Sequence, residues 1–138
     1  MFPVEEIPDE DSLFRRYNFE MHTHKKGLSI GKLKANAFRE TGEGPTLGMS
    51  CDWEKYSSAE LTRSRVASPS EWGVVKLSVG SLRRIKLSVF RNPENPSENN
   101  PIGNQAHSLV RGLSIPDESN ETTLRAKILL DCAPEIVF

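Results

Sequence analysis

The sequence predicts an α+β fold dominated by strands, with a short middle helix and a C-terminal helix. Three observations predict it. Apolar residues alternate over residues 13–23, they alternate again over 72–79 and 82–90, and Leu124, Ile128, Leu129 and Cys132 recur at helical spacing near the end. The 138 residues fit one domain. Residues 13–138 are read as that domain. Residues 1–12 carry Pro3, Pro8 and five carboxylates, and are expected to form a flexible acidic lead-in.

Within Leu13–Thr23, Leu13, Arg15, Tyr17, Phe19 and Met21 share one parity, and Phe14, Arg16, Asn18, Glu20 and His22 share the other. The first set is the more apolar and is expected to face inward on a strand. Lys25, Lys26 and Gly27 supply a turn, and residues 28–40 carry no clear period. A glycine-rich loop (Gly42, Gly44, Pro45, Gly48) then precedes Met49–Cys51. Ser57 followed by Glu60 is a capping-box pattern and predicts a helix over about 58–66, halted before Pro69.

Two strands are expected over Trp72–Val79 and Leu82–Phe90, with Val75, Leu77 and Val79 on one face and Ile85, Leu87 and Val89 on the other strand's matching face. A two-residue turn at Gly80-Ser81 would set Leu77 opposite Arg84 and Val75 opposite Lys86, placing cations on the apolar face. The tight turn is therefore rejected, in favour of a three- or five-residue connection or no direct hairpin. Residues 91–104 hold three prolines and five asparagines and read as a long irregular loop, either mobile or part of a site. Ala106–Leu113 resumes as a strand. Pro116 precedes a last helix, roughly Ser119–Cys132, which Pro134 ends.

Composition narrows function by exclusion. Lysine and arginine number 18 against 19 acidic residues, so net charge is −1. That near-balance leaves nucleic-acid binding unsupported, and Trp72 and Phe90 are too few beside the basic block for a base-stacking platform. No apolar run approaches a membrane span, and a positively charged start followed by an apolar stretch is absent, so no secretory leader is expected. Two cysteines suit a reducing cytoplasm. Charge is nevertheless sorted along the chain: residues 25–39 carry +5 and 63–91 carry +6, with acidic blocks between. Such blocks are expected to pair after folding. The competing reading is a basic surface for an anionic ligand, drawn from Arg63, Arg65, Lys76, Arg83, Arg84, Lys86 and Arg91.

His22 and His24 would share a strand face, as metal chelation needs, with His107 and Cys51 or Asp52 to complete a set. Nothing fixes those further ligands at motif spacing, so no metal is assigned. Cys132 falls on the apolar helix face and is expected to pack there, while Asp52 beside Cys51 would raise a thiol pKa, so neither is taken as a nucleophile. A phosphate-binding glycine loop and a G-x-S-x-G elbow are both absent. Arg15 and Arg16 point to opposite faces of their strand, so one guanidinium is directed at the sheet interior or a cleft, where it is expected to need a carboxylate or phosphate partner.

These features stand in a particular order: Leu13-Phe14-Arg15-Arg16, then Ala37-Phe38-Arg39, Met49-Ser50-Cys51-Asp52, Ser57-Ser58-Ala59-Glu60, Val74-Val75-Lys76-Leu77-Ser78-Val79, and Asn104-Gln105-Ala106-His107 running on to Gly112. The order resembles small divergent members of the ADP-ribosyltransferase-like superfamily, including RES-type domains, and small bacterial proteins with an aromatic-Arg-Arg start and a late Ala-His. The resemblance spans most of residues 13–112. It implies a split, strongly bent mixed sheet around an NAD-binding cleft. Arg15 or Arg16 and Ser50 match the positions that bind the dinucleotide, and His107 matches the last functional position, a catalytic one. A Gly-Gly-Arg-Trp segment and a late catalytic Glu are missing.

Two functions are therefore expected. The first is a cytoplasmic binding or accessory protein without catalytic activity, holding a protein partner through the Asn/Pro loop and a basic face. The alternative is an NAD-binding or NAD-consuming enzyme. The enzyme reading requires Arg15 or Arg16, Ser50 and His107 around one pocket.

Overall fold

Alternation over residues 12–18 builds the first strand, β1 (Ser12–Asn18), at the centre of a sheet with β2 (Met49–Trp53), β3 (Trp72–Ser78), β4 (Ser88–Arg91), β5 (His107–Arg111) and β6 (Glu135–Ile136). The computed structural model describes Phe2, residues 5–113 and residues 118–138, apart from the side chains of Ser29 and 118–123. Strand order is β4-β5-β2-β1-β3-β6, and every pairing between these strands is antiparallel. The α+β, strand-dominated class holds. The mixed pairing implied by the resemblance does not occur within this sheet.

Register assigns the faces. Leu13 lies opposite Trp53 and Leu77, Arg15 opposite Val75, and Met49 opposite Val110. One face is therefore apolar, with Leu13, Tyr17, Met49, Cys51, Trp53, Val75, Leu77, Val89 and Val110 all buried. Phe38, beyond the turn Ala35–Ala37, Ile128 of α3 (Glu118–Asp131) and Cys132 just past its end belong to the same buried cluster, with Leu124 and Leu129 packed against it. The expected apolar stripe of the last helix is thus in place. Its expected Pro116 boundary lies outside the described residues. The inward parity of β1 holds for Leu13 and Tyr17 but stops at Asn18. Phe19 and Met21 are exposed because the chain turns, with Asn18 Oδ1 accepting from the N–H groups of Glu20 and Met21.

At Gly73 the sheet has no room for a side chain. This residue is paired with Tyr17, whose ring occupies the place a Cβ would take, and the Tyr17 hydroxyl donates to Phe138 O at 3.1 Å. Gly73→Ala is expected to force the ring aside and lower stability by about 1–3 kcal/mol, read as a shift in urea midpoint at unchanged slope.

The expected strand over 82–90 is corrected. Residues Val79–Arg84 form helix α2, and β4 begins only at Ser88. Ser78 Oγ accepts from Ser81 N at 3.2 Å, capping the helix, and Val79 and Leu82 are buried three residues apart on its inner side. Arg83 and Arg84 sit in the last turn, where cations suit the helix dipole. Lys86 then takes a positive φ of 72°, which ends the element. Of the proposed outcomes for a hairpin, the absence of one is observed: β3 lies between β1 and β6, and β4 pairs with β5.

The middle helix, α1 (Ala59–Ser64), is capped by Ser58, whose Oγ accepts from Leu61 N at 3.1 Å, and not by Ser57 as the capping-box spacing suggested. Ser57 Oγ instead lies 2.9 Å from Thr62 Oγ1. Residues 5–11, within the segment expected to form a flexible acidic lead-in, make contacts with the domain. Ile7 is buried, Asp11 accepts from the Trp53 indole at 2.9 Å, Asp9 pairs with Arg83, and Glu5 meets Lys55, Tyr56 and Arg91. The Glu5 carboxyl is held below the usual carboxylate range, first by the Lys55 hydrogen bond and then by the Tyr56 hydroxyl. Among the described residues, no helix is long and apolar enough to cross a membrane.

Candidate functional site

The second face of the sheet is polar at its centre. Here β5, β2 and β1 set His107, Asp52 and Phe14 side by side, since Asp52 is paired with both. One step along, Ser50 and Arg16 take the same face. Helix α1 packs against β1 and β3 and brings in Thr62 and Arg65. The irregular segment after β4 folds back through an antiparallel bridge between Glu94 and Asn104. The result is a cleft of about 480 Å³, lined by Arg16, Ser50, Asp52, Arg65, Asn100 and His107 among others. That volume falls in the range of small-molecule sites, roughly 300–1,000 Å³.

Asp52 organises the cleft floor. It is buried, and its Oδ2 accepts from Thr62 Oγ1 at 2.8 Å while Oδ1 accepts from Asn104 Nδ2 at 2.9 Å. Arg65 Nε lies 3.6 Å from Oδ2, so the buried charge has a cationic partner. Asn104 Oδ1 in turn accepts from Ala106 N at 3.1 Å. One carboxylate thereby joins β2, α1 and the end of the long loop.

Of the four residues singled out from the sequence, three meet at the cleft. Arg16 lines it, with Nη1 donating to Thr62 O at 3.1 Å, and no carboxylate forms an ion pair with it among the described residues. His107 Nδ1 lies 2.8 Å from Asn92 O, and its Nε2 lies 3.3 Å from Ser50 Oγ. Arg15 is the exception. It points to the apolar face, where Nε donates to Ala37 O at 3.2 Å and Nη1 to Ser50 O at 2.9 Å. Desolvation lowers its pKa from the usual arginine value, with Arg16 adding to the effect and Cys51 opposing it. Its place is structural, tying residues 35–37 and β2 to β1.

From sequence, Asp52 stands out only as a possible metal ligand and a neighbour of Cys51, Arg65 only as part of the basic block and Asn104 only within the late Asn-Gln-Ala-His segment, while Thr62 carries no signal. The readable signal was the alternation of Met49, Cys51 and Trp53 with Ser50 and Asp52, which puts both polar residues on one strand face. The histidine pair sits elsewhere. His22 lies past the end of β1, its Nδ1 accepting from Asn18 N at 2.8 Å and its ring edge-on to Trp72, while His24 is exposed. Burial lowers the His22 pKa, and Arg15 and Lys34 lower it further. Among the described residues no three His, Cys, Asp or Glu side chains gather in a metal-holding group.

Burial pushes the Cys51 thiol up to about 12, with Asp52 adding to the shift and Arg15 opposing it. Burial also raises Cys132, seconded by Asp131. Neither thiol is therefore expected to react with Ellman's reagent at pH 8 in the native protein, and both are expected to react in concentrated guanidinium. Fast release of thionitrobenzoate from native protein would contradict the placement of Cys51 in the core.

Comparison of the chain with models of known families, with curated proteins and with solved structures gave no match.

Proposed function

We propose that the chain binds a small anionic molecule of the nucleotide class in the cleft on the polar face, and that NAD is the first candidate. The convergence of Arg16, Ser50 and His107 carries this reading, because the enzyme alternative required those side chains around one pocket. A guanidinium with a main-chain carbonyl as partner keeps N–H donors for a phosphate. The Asn99 and Asn100 side chains on the rim add donors and acceptors suited to ribose or amide groups.

The basic face invoked for a protein partner is largely spent inside the fold. Arg83 pairs with Asp9, Arg91 with Glu5, Lys76 with Glu54 and Arg65 with Asp52. Arg63 donates to Trp72 O and lies over the Phe138 ring. The partner-binding, non-catalytic reading retains one observation: an apolar hollow of about 370 Å³ between Leu33, Leu129, Pro134 and the half-exposed Ile136. The cleft is the better supported site, since its polar groups converge.

Isothermal titration with NAD, ADP-ribose and inorganic pyrophosphate tests the reading. Binding by the wild type is expected, with Arg16→Ala weakening it about tenfold to a hundredfold and Arg16→Lys less, given about 1.5–3 kcal/mol for hydrogen bonds to a charged group. No heat with any of the three, or equal affinity for Arg16→Ala, would sink it.

A further inference from the structure

The hydrogen bonds around His107 fix more than its position. Asn92 O can only accept, so at 2.8 Å the imidazole presents Nδ1–H to it. In the neutral ring Nε2 then carries the lone pair and can accept from the Ser50 hydroxyl, whose Oγ lies 3.3 Å away. A hydroxyl, an imidazole base and an acceptor that holds the base's tautomer are the three parts of an activated serine. The main-chain carbonyl of Asn92 takes the orienting role that a carboxylate has elsewhere. Both side chains are half-buried and line the cleft, so a small molecule can reach them.

The scaffold is also favourable. Ser50 pairs with Leu109 and Asp52 with His107, so the two reactive side chains stand on adjacent strands and one face, diagonally across a ladder held by β1 and β4. Sites built on strands hold geometry better than sites on loops. Arg16 lines the same cleft, and its guanidinium, bonded at Nη1 to Thr62 O, keeps further N–H donors that suit an oxyanion.

We propose that Ser50 is a nucleophile activated by His107, and that the cleft cleaves small carboxylic esters. Ser50 Oγ attacks the ester carbonyl carbon as its proton passes to His107 Nε2, and Asn92 O stabilises the imidazolium through Nδ1–H. The tetrahedral intermediate collapses with cleavage of the bond to the alcohol oxygen, which takes the proton from Nε2. Water then gives a proton to Nε2 and attacks the acyl-serine. The carboxylic acid leaves and the Ser50 hydroxyl is restored, so ester and water become acid and alcohol. This rests on the cleft being open to a small molecule, not on which anion it prefers.

The test uses an alkyl fluorophosphonate, which phosphonylates activated serines with loss of fluoride. One adduct per wild-type chain is expected, mapped by peptide mass to Ser50. His107→Ala is expected to slow labelling about a hundredfold or more, with added imidazole restoring it in part. Hydrolysis of p-nitrophenyl acetate should follow the same order and vanish in Ser50→Ala. Absence of labelling in the folded wild type, or an adduct on another serine, overturns the proposal without any variant being needed. Nucleotide binding that persists in calorimetry while labelling fails removes the ester chemistry alone. Labelling at Ser50 without nucleotide binding removes the nucleotide reading alone.

Discussion

Asp52→Ala is expected to lower stability by about 3–4 kcal/mol, the typical cost of removing one partner of a buried ion pair. The substitution takes the acceptor from Thr62 Oγ1 and Asn104 Nδ2 and leaves Arg65, whose side chain is 25% exposed, without its carboxylate. Asp52→Asn should cost less, about 1–2 kcal/mol. Its carbonyl oxygen can still accept from Asn104, and the Thr62 hydroxyl can reverse to accept from the new amide. Urea unfolding of the two variants checks the order. Equal losses would mean that the charge, and not the hydrogen bonds, holds the cleft floor. A loss under 1 kcal/mol in Asp52→Ala would contradict its central place.

Arg15→Ala is expected to cost about 2–4 kcal/mol, from two hydrogen bonds to a charged donor and the carbonyls left behind. Ala37 O and Ser50 O both lose their guanidinium donor. Arg15→Lys should recover little, because one ammonium cannot span two carbonyls as the planar fork does. The adjacent arginines thus separate in experiment. Arg15 variants change the unfolding midpoint, whereas Arg16 variants change ligand affinity. Thermal melts alongside calorimetry make the comparison, and a large affinity loss in a folded Arg15→Lys protein would reverse the assignment.

That contrast also marks how far the sequence reaches. Alternation along Leu13–Tyr17 shows that Arg15 and Arg16 take opposite faces of a strand. Which of them meets the cleft depends on β2, where Cys51 and Trp53 line the core side and Ser50 and Asp52 the other. The choice is set by pairing between residues as distant in the chain as Leu13 and Trp53, which no local pattern records. The same holds for Asp52, whose partners come from α1 and the loop end. Asn/Pro content did mark residues 91–104 as an irregular loop, and the structure makes part of it a wall of the cleft.

The second half of the 82–90 strand was legible and the first was not. Leu87 and Val89 keep the period of two, but Val79 and Leu82 fit a helix equally, and the Ser78 cap decides between them. Strand β6 is two residues long and both are exposed, so burial left no pattern in it.

The claim on which the functional account stands is that the polar face of β1, β2 and β5 is where a ligand sits. Amide chemical-shift mapping of the 15N-labelled chain during titration with NAD addresses it most directly. The account predicts shifts confined to Arg16, Ser50–Asp52, Thr62–Arg65, residues 94–104 and His107, reduced in Arg16→Ala. Shifts centred instead on Leu33, Leu129 and Ile136, or none at millimolar NAD, would contradict it.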